Sequence, residues 1–224
     1  MRTYPGRVSE ILLNPDGSRS ALIDYPERAA PAPGRYLLAQ DRESILRTPL
    51  FQAGARSRGF LAASPVPESW YPGMALELRG PFGHGFQLPA NVRRLAGIAV
   101  GTSGERLLPL VREALEKGAA VTLFGDIVSS GLPSSVEVYP SGAFSEAQGW
   151  ADHLVVDALM ERLPVLWEMA GRQRAGFPCP GQALVFAQMP CGGLADCGAC
   201  AVQSRGSWKL ACKDGPVFRL KDLE

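Results

Sequence analysis

Four cysteines stand close together near the carboxyl end of this 224-residue chain, three in Met189-Pro-Cys-Gly-Gly-Leu-Ala-Asp-Cys-Gly-Ala-Cys200 and the fourth at Cys212. Their spacing is C-x5-C-x2-C-x11-C. Two irons bridged by two sulfides need four thiolates, two per iron, and plant-type [2Fe–2S] sites take three from one loop and the fourth from a distance. Gly192, Gly193, Gly198 and Ala199 are small enough to let the backbone fold tightly around such a cluster and aim amides at sulfur. Spacing alone leaves two other chemistries open. Structural zinc usually takes two C-x2-C knuckles, and only Cys197 and Cys200 form one here. A redox dithiol would open a helix after a strand, which Gly-Ala between the cysteines fits poorly. Trp208 and Lys209, just before Cys212, are candidates to shield a cluster from water and to offset its negative charge.

The remaining reactive side chains give less. Cys179, between two prolines, reads as a plain thiol. His84, between Gly83 and Gly85, reads as an exposed loop histidine. His153 reads as a surface or capping residue on a helix. Neither histidine has a Ser or Cys nucleophile near it in sequence, so hydrolase chemistry has no support. The net charge of +1 offers no basic excess for nucleic acid. No apolar run approaches the roughly 20 residues that span a bilayer, and the first residues lack a signal-peptide core. The expectation is a cytoplasmic protein with no nucleic-acid or membrane partner.

Something must hold these cysteines, and the rest of the chain divides by pattern. Composition is globular, with 46% hydrophobic and 20% charged residues, and the 25 glycines and 19 prolines favour short strands and turns. Residues 1–90 read as an antiparallel β-domain with strands at Ser9–Leu13, Ser20–Asp24, Gly34–Ala39, Gly59–Ala63 and Met74–Leu78, a small barrel or sandwich. Residues 91–188 read as α/β. Leu95–Val100 is a buried strand, Gly101-Thr-Ser-Gly104 a turn, Glu105–Lys117 a helix with Gly118 as its stop, and Ala119–Phe124 a second strand, which makes a βαβ unit. Val136–Tyr139 and Ala183–Gln188 read as strands, and Ala151–Met160 and Leu163–Ala170 as helices. Residues 189–224 form the cysteine segment.

With these residues in view, the chain resembles the dihydroorotate dehydrogenase electron-transfer subunit family. Cys191-Gly-Gly, Cys197-Gly-Ala-Cys200-Ala-Val and Trp208-Lys-Leu-Ala-Cys212-Lys-Asp-Gly-Pro-Val-Phe218 carry the likeness most specifically. Gly80-Pro-Phe-Gly-His-Gly-Phe86, Trp70-Tyr-Pro-Gly73 and Pro33-Gly34-Arg-Tyr36 extend it. The resemblance implies a ferredoxin reductase-like architecture: a flavin-binding β-barrel, an α/β nucleotide-binding-like domain and a C-terminal [2Fe–2S] segment on Cys191, Cys197, Cys200 and Cys212. It also implies FAD, with Arg47 and Pro49 as the loose counterparts of a phosphate-binding Arg-Pro-x-Ser motif, and a pyridine nucleotide at Gly101 and Gly104. It further implies a flavin-dependent dehydrogenase catalytic subunit as hetero-oligomeric partner, with pyrimidine synthesis as the family's setting.

Three departures shape the expectation. One extra residue lies between Cys191 and Cys197. Phe51 stands where the flavin motif has Ser, and the family's later Gly-Thr phosphate element is not recognisable before Trp70. The family's Gly-Gly-Gly-x-Gly loop is reduced to Gly101-Thr-Ser-Gly104, followed by Glu105, whose charge in a first helical turn disfavours an anion. The reading is a one-electron relay subunit with weakened flavin and nucleotide sites. A complete FAD/NAD(P)H reductase and a non-redox zinc-tied scaffold are the alternatives. Trp208, Pro216, Val217 and Phe218, with Lys209, Lys213 and Arg219, form either a docking patch for the partner or packing for the cysteine loop.

Overall fold

Six antiparallel strands come first: β1 (Thr3–Leu13), β2 (Arg19–Asp24), β3 (Tyr36–Gln40), β4 (Thr48–Arg56), β5 (Gly59–Ala62) and β6 (Ala75–Phe82). In this computed structural model, which describes residues 3–25, 30–127, 132–147, 149–170, 177 and 179–223, they close into a barrel in the order β1-β2-β5-β4-β3-β6. The period of two does the sorting. In β3, Leu37 and Ala39 fill the barrel with Leu50, Phe60 and Trp70, while Tyr36 and Leu38 point the other way and join Phe51 in the core of the second half. Strands β3 and β4 are therefore a shared wall with both faces buried. That is why β4, which carries the stretch read as a flavin motif, has no polar alternation to mark it in the sequence.

The second half is one six-stranded sheet with helices against it. Its elements are β7 (Arg94–Val100), α1 (Leu108–Glu116), β8 (Ala120–Phe124), β9 (Glu137–Tyr139), the short α2 (Phe144–Ala147), β10 (His153–Leu159), α3 (Leu163–Met169), β11 (Gly181–Phe186), the hairpin β12 (Ala201–Ser204) and β13 (Ser207–Leu210), and β14 (Val217–Arg219). The sheet order is β14-β11-β10-β7-β8-β9, and every pair is parallel except β11 with β14. Helix α1 has proline in its first turn, where no amide is needed, and ends before Gly118 at φ 78°. Its Leu110, Val111 and Ala114 pack on Leu95, Val121 and Leu123.

Residues Ala151–Met160, read as a helix, contain β10 instead. His153-Leu-Val-Val-Asp-Ala-Leu159 is an apolar run that periodicity cannot assign between a buried strand and a buried helix. Two hydrogen-bonded neighbours, β7 and β11, and the stiff Val155 and Val156 favour the strand. His153 is accordingly no surface residue. It is buried at the start of β10, its Nε2 has no hydrogen-bond partner, and burial lowers its pKa against the opposing charge of Asp152. The proposed patch also changes. Pro216, Val217 and Phe218 are buried because β14 returns to the sheet edge, leaving Trp208, Lys209, Lys213 and Arg219 exposed.

Candidate metal centre

The hairpin β12–β13 is what brings a distant cysteine back. Its register pairs Ala201 with Leu210, and the Ala211 amide then donates to the Cys200 carbonyl at 2.9 Å. Cys200 and Cys212 thus lie side by side at the open end of the hairpin, both buried. The loop before β12 carries the other two. Gly192, Gly193 and Gly198 take φ of 63°, 77° and 71°, and Ala195 takes 67°, a left-handed value that is uncommon for a residue with a Cβ. The curl points the amides of Ala195, Asp196 and Cys197 at the Cys191 sulfur and sets Cys197 beside it. The Ala195 amide reaches Cys212 as well.

The thiols are thus paired, Cys191 with Cys197 and Cys200 with Cys212. Among the described residues no group of three or more His, Cys, Asp or Glu side chains is already gathered as a metal site. Four thiols in two pairs, with amides directed at sulfur, suit a dinuclear cluster. None of the five cysteines is in a disulfide. The pairs differ in surroundings. Burial raises the Cys191 thiol, but the converging amides and Cys197 outweigh it and bring the pKa down to about 6. Burial, with the neighbouring Cys200, pushes Cys212 up to about 12. Cys197 is exposed and Cys191 half-buried, so one pair faces outward and the other faces the core. Cys179 lies apart, near Asp152, and burial raises its thiol to about 11.

The barrel supports the site directly. The Tyr36 hydroxyl donates to the Cys212 carbonyl at 3.0 Å, and burial, then the charge of Cys212, raises its pKa. Sequence reading placed Tyr36 only in a barrel strand. Its partner lies 176 residues away, so no local signal marks it. Gly34 is required because a Cβ there would lie 2.5 Å from Val217 Cγ2, where the barrel meets β14. His84 is exposed, as expected, and its loop clamps the other side: its amide donates to the Gly215 carbonyl at 2.6 Å.

The residues assigned to FAD and NAD do not come together. Arg47 pairs with Glu77 at 3.0 Å and lies against Gly192 of the cysteine loop, its Nη1 buried without a partner. Pro49 is buried in β4 opposite Leu38. Gly101 and Gly104 sit in the turn after β7, both left-handed. A cavity of about 590 Å³ opens at the carboxyl ends of the parallel strands, where α/β sheets bind ligands. Gly101, Thr102, Ser103, Asp126 and Arg162 line it, but Arg47 and Pro49 do not. Glu105 does not face this cavity. Its carboxylate turns to the outer wall of the barrel, where it accepts from Ser20 Oγ at 2.8 Å and from the Ser64 amide at 2.7 Å.

Residues 187–224 match the family model described as the iron–sulfur cluster binding domain of dihydroorotate dehydrogenase B. No curated protein matches the chain. Among solved structures, the NADH-dependent reduced ferredoxin–NADP oxidoreductase is similar at 20% identity and a TM-score of 0.77, covering 98% of this chain and 89% of that one. Phthalate dioxygenase reductase is similar at 12% identity and a TM-score of 0.57, covering 99% and 77%. The ferredoxin reductase in carbazole 1,9a-dioxygenase is similar at 15% identity and a TM-score of 0.62, covering 76% and 64%. At these identities the three structures establish the fold. The chain therefore joins a barrel and sheet folded like those of ferredoxin reductases to a C-terminal segment that matches the iron–sulfur cluster binding domain of dihydroorotate dehydrogenase B.

Proposed function

We propose that this chain is an iron–sulfur electron-transfer subunit working beside a flavoprotein, with Cys191, Cys197, Cys200 and Cys212 as the ligands. The observation that carries the reading is the pairing of those thiols, Cys191 with Cys197 and Cys200 with Cys212, inside the matched segment. A [2Fe–2S] cluster held there supplies one-electron acceptance and donation. The protein's own part is to hold, orient and shield. Amides from Ala195, Asp196 and Cys197 offset negative charge on sulfur, and Tyr36 fixes the strand end at Cys212. The chain divides by this reading into a barrel (1–90), an α/β part (91–188) and the cluster segment (189–224).

The outward pair sets the direction of exchange. Cys197 is exposed, and Leu194 beside it is 64% exposed. Ile45 and Leu46, next to the Arg47 that touches Gly192, are also exposed, Ile45 at 95%. Apolar side chains around an exposed cysteine are what a partner subunit would cover. The partner we propose is a flavin-dependent dehydrogenase, because hydride chemistry needs a flavin or nicotinamide and a cluster moves single electrons. The test is stopped-flow mixing of a substrate-reduced dehydrogenase with the cluster-loaded chain. The visible absorbance of the cluster should bleach as the flavin reoxidises. No exchange, with both proteins well above any plausible dissociation constant, contradicts the reading.

A further inference from the structure

The barrel and the sheet meet along a seam, and two charged side chains from a single turn are buried in it. Glu105 is bound by Ser20 and Ser64 of the barrel. Arg106, buried beside it, pairs with the buried Asp157 of β10 at 3.2 Å and donates to the Ser64 carbonyl. Its guanidinium carbon lies 4.1 Å from the ring centroid of Phe186 and 5.6 Å from that of Phe51. Its Nε has no acceptor, a cost that contact with the Phe186 face offsets.

Phe51 is the residue standing where the resemblance expects a flavin-binding serine. A flavin needs a flat apolar slot for its ring and free donors for its phosphates. At this seam the aromatic face carries a guanidinium, the Ser20 hydroxyl and the Ser64 amide donate to Glu105, the Ser64 hydroxyl bonds that of Ser103, and Pro49 is buried in the barrel wall. Arg47 has turned to Glu77 and the cysteine loop. The residues present do not fit FAD.

We infer that Arg106 is an internal plug: held by Asp157 and Ser64, it occupies the aromatic seam beside Phe51 and Phe186, so the chain holds its cluster and no flavin of its own. The plug stands apart from the electron-transfer reading. That the working flavin belongs to another polypeptide rests on that reading.

The test is FAD titration of the purified, cluster-loaded chain, followed by quenching of flavin fluorescence and by the flavin that survives gel filtration. The wild-type chain should retain none. Arg106→Ala, with cluster absorbance intact, should bind FAD at least tenfold more tightly than wild type, and Phe51→Ser, which leaves the guanidinium in place, should not. Stoichiometric FAD on the wild-type chain overturns the inference, as does a folded Arg106→Ala that gains nothing. The wild-type titration decides the matter even where Arg106→Ala does not fold. Flavin and cluster are read at separate signals, so a failed plug and a failed cluster are distinguishable.

Discussion

Cys191 and Cys179 are both half-buried thiols, yet they stand in opposite surroundings. Three amides converge on Cys191, whereas Cys179 meets burial and the charge of Asp152. Replacing Cys191, Cys197, Cys200 or Cys212 with Ala should therefore abolish iron binding or reduce it severely, since each thiolate closes one iron's coordination. Cys179→Ala should leave it intact. Iron assay of the five purified variants checks this, and iron lost with Cys179 but kept without Cys191 refutes the ligand set. His153 gives a second prediction. Burial holds its folded pKa below the unfolded value, so at acid pH the unfolded chain takes up a proton that the folded chain refuses. Stability contributed above a pH of about 6.5 is then lost as the pH falls below it. His153→Phe should remove that acid loss and, by deleting an unpartnered Nε2, stabilise the fold by ~1 kcal/mol. Urea midpoints at neutral and mildly acid pH read it, and parallel wild-type and variant slopes would contradict it. Cysteine spacing marked the four candidate ligands in the sequence. That Cys200 lies beside Cys212 was not legible there, because the register of β12 with β13 decides it.

At the scale of elements, β10 shows how burial erases a signal. A strand flanked on both sides and covered by helices is apolar throughout, and a run of such residues looks the same to helix and strand periodicity. The error also hid Asp157, a carboxylate with no exposure in the middle of that strand. Its partner Arg106 enters from the turn before α1, 51 residues earlier. Removing one member of a buried pair strands the other charge. Asp157→Ala should destabilise the chain by about 3–5 kcal/mol, while Arg106→Met with Asp157→Leu should recover most of the loss. Equilibrium denaturation measures both, and a cost under about 1 kcal/mol for Asp157→Ala would show that the pair is not desolvated. Glu105 was legible only as a charge in a first helical turn. Its acceptor role depends on Ser20 and Ser64, 85 and 41 residues away, and local pattern cannot show contacts of that range.

Across the whole molecule, the barrel wall of β3 and β4 belongs to both cores at once. Tyr36 and Phe51 share one buried cluster with Phe186, Cys200 and Cys212. Barrel, sheet and cysteine segment thus form a continuous packed body, with the outward thiol pair on its surface and the Arg106 seam inside. No helix among the described residues is long and apolar enough to cross a membrane. The barrel-plus-α/β plan was legible from glycine- and proline-bounded short strands followed by a βαβ unit. The seam was not, since it joins residues from both halves. Iron, acid-labile sulfide and zinc quantified in the anaerobically purified chain test most directly whether the four cysteines hold a two-iron cluster. About two irons and about two sulfides per chain are expected, with visible charge-transfer absorption. A colourless protein carrying about one zinc per chain and no sulfide would contradict this.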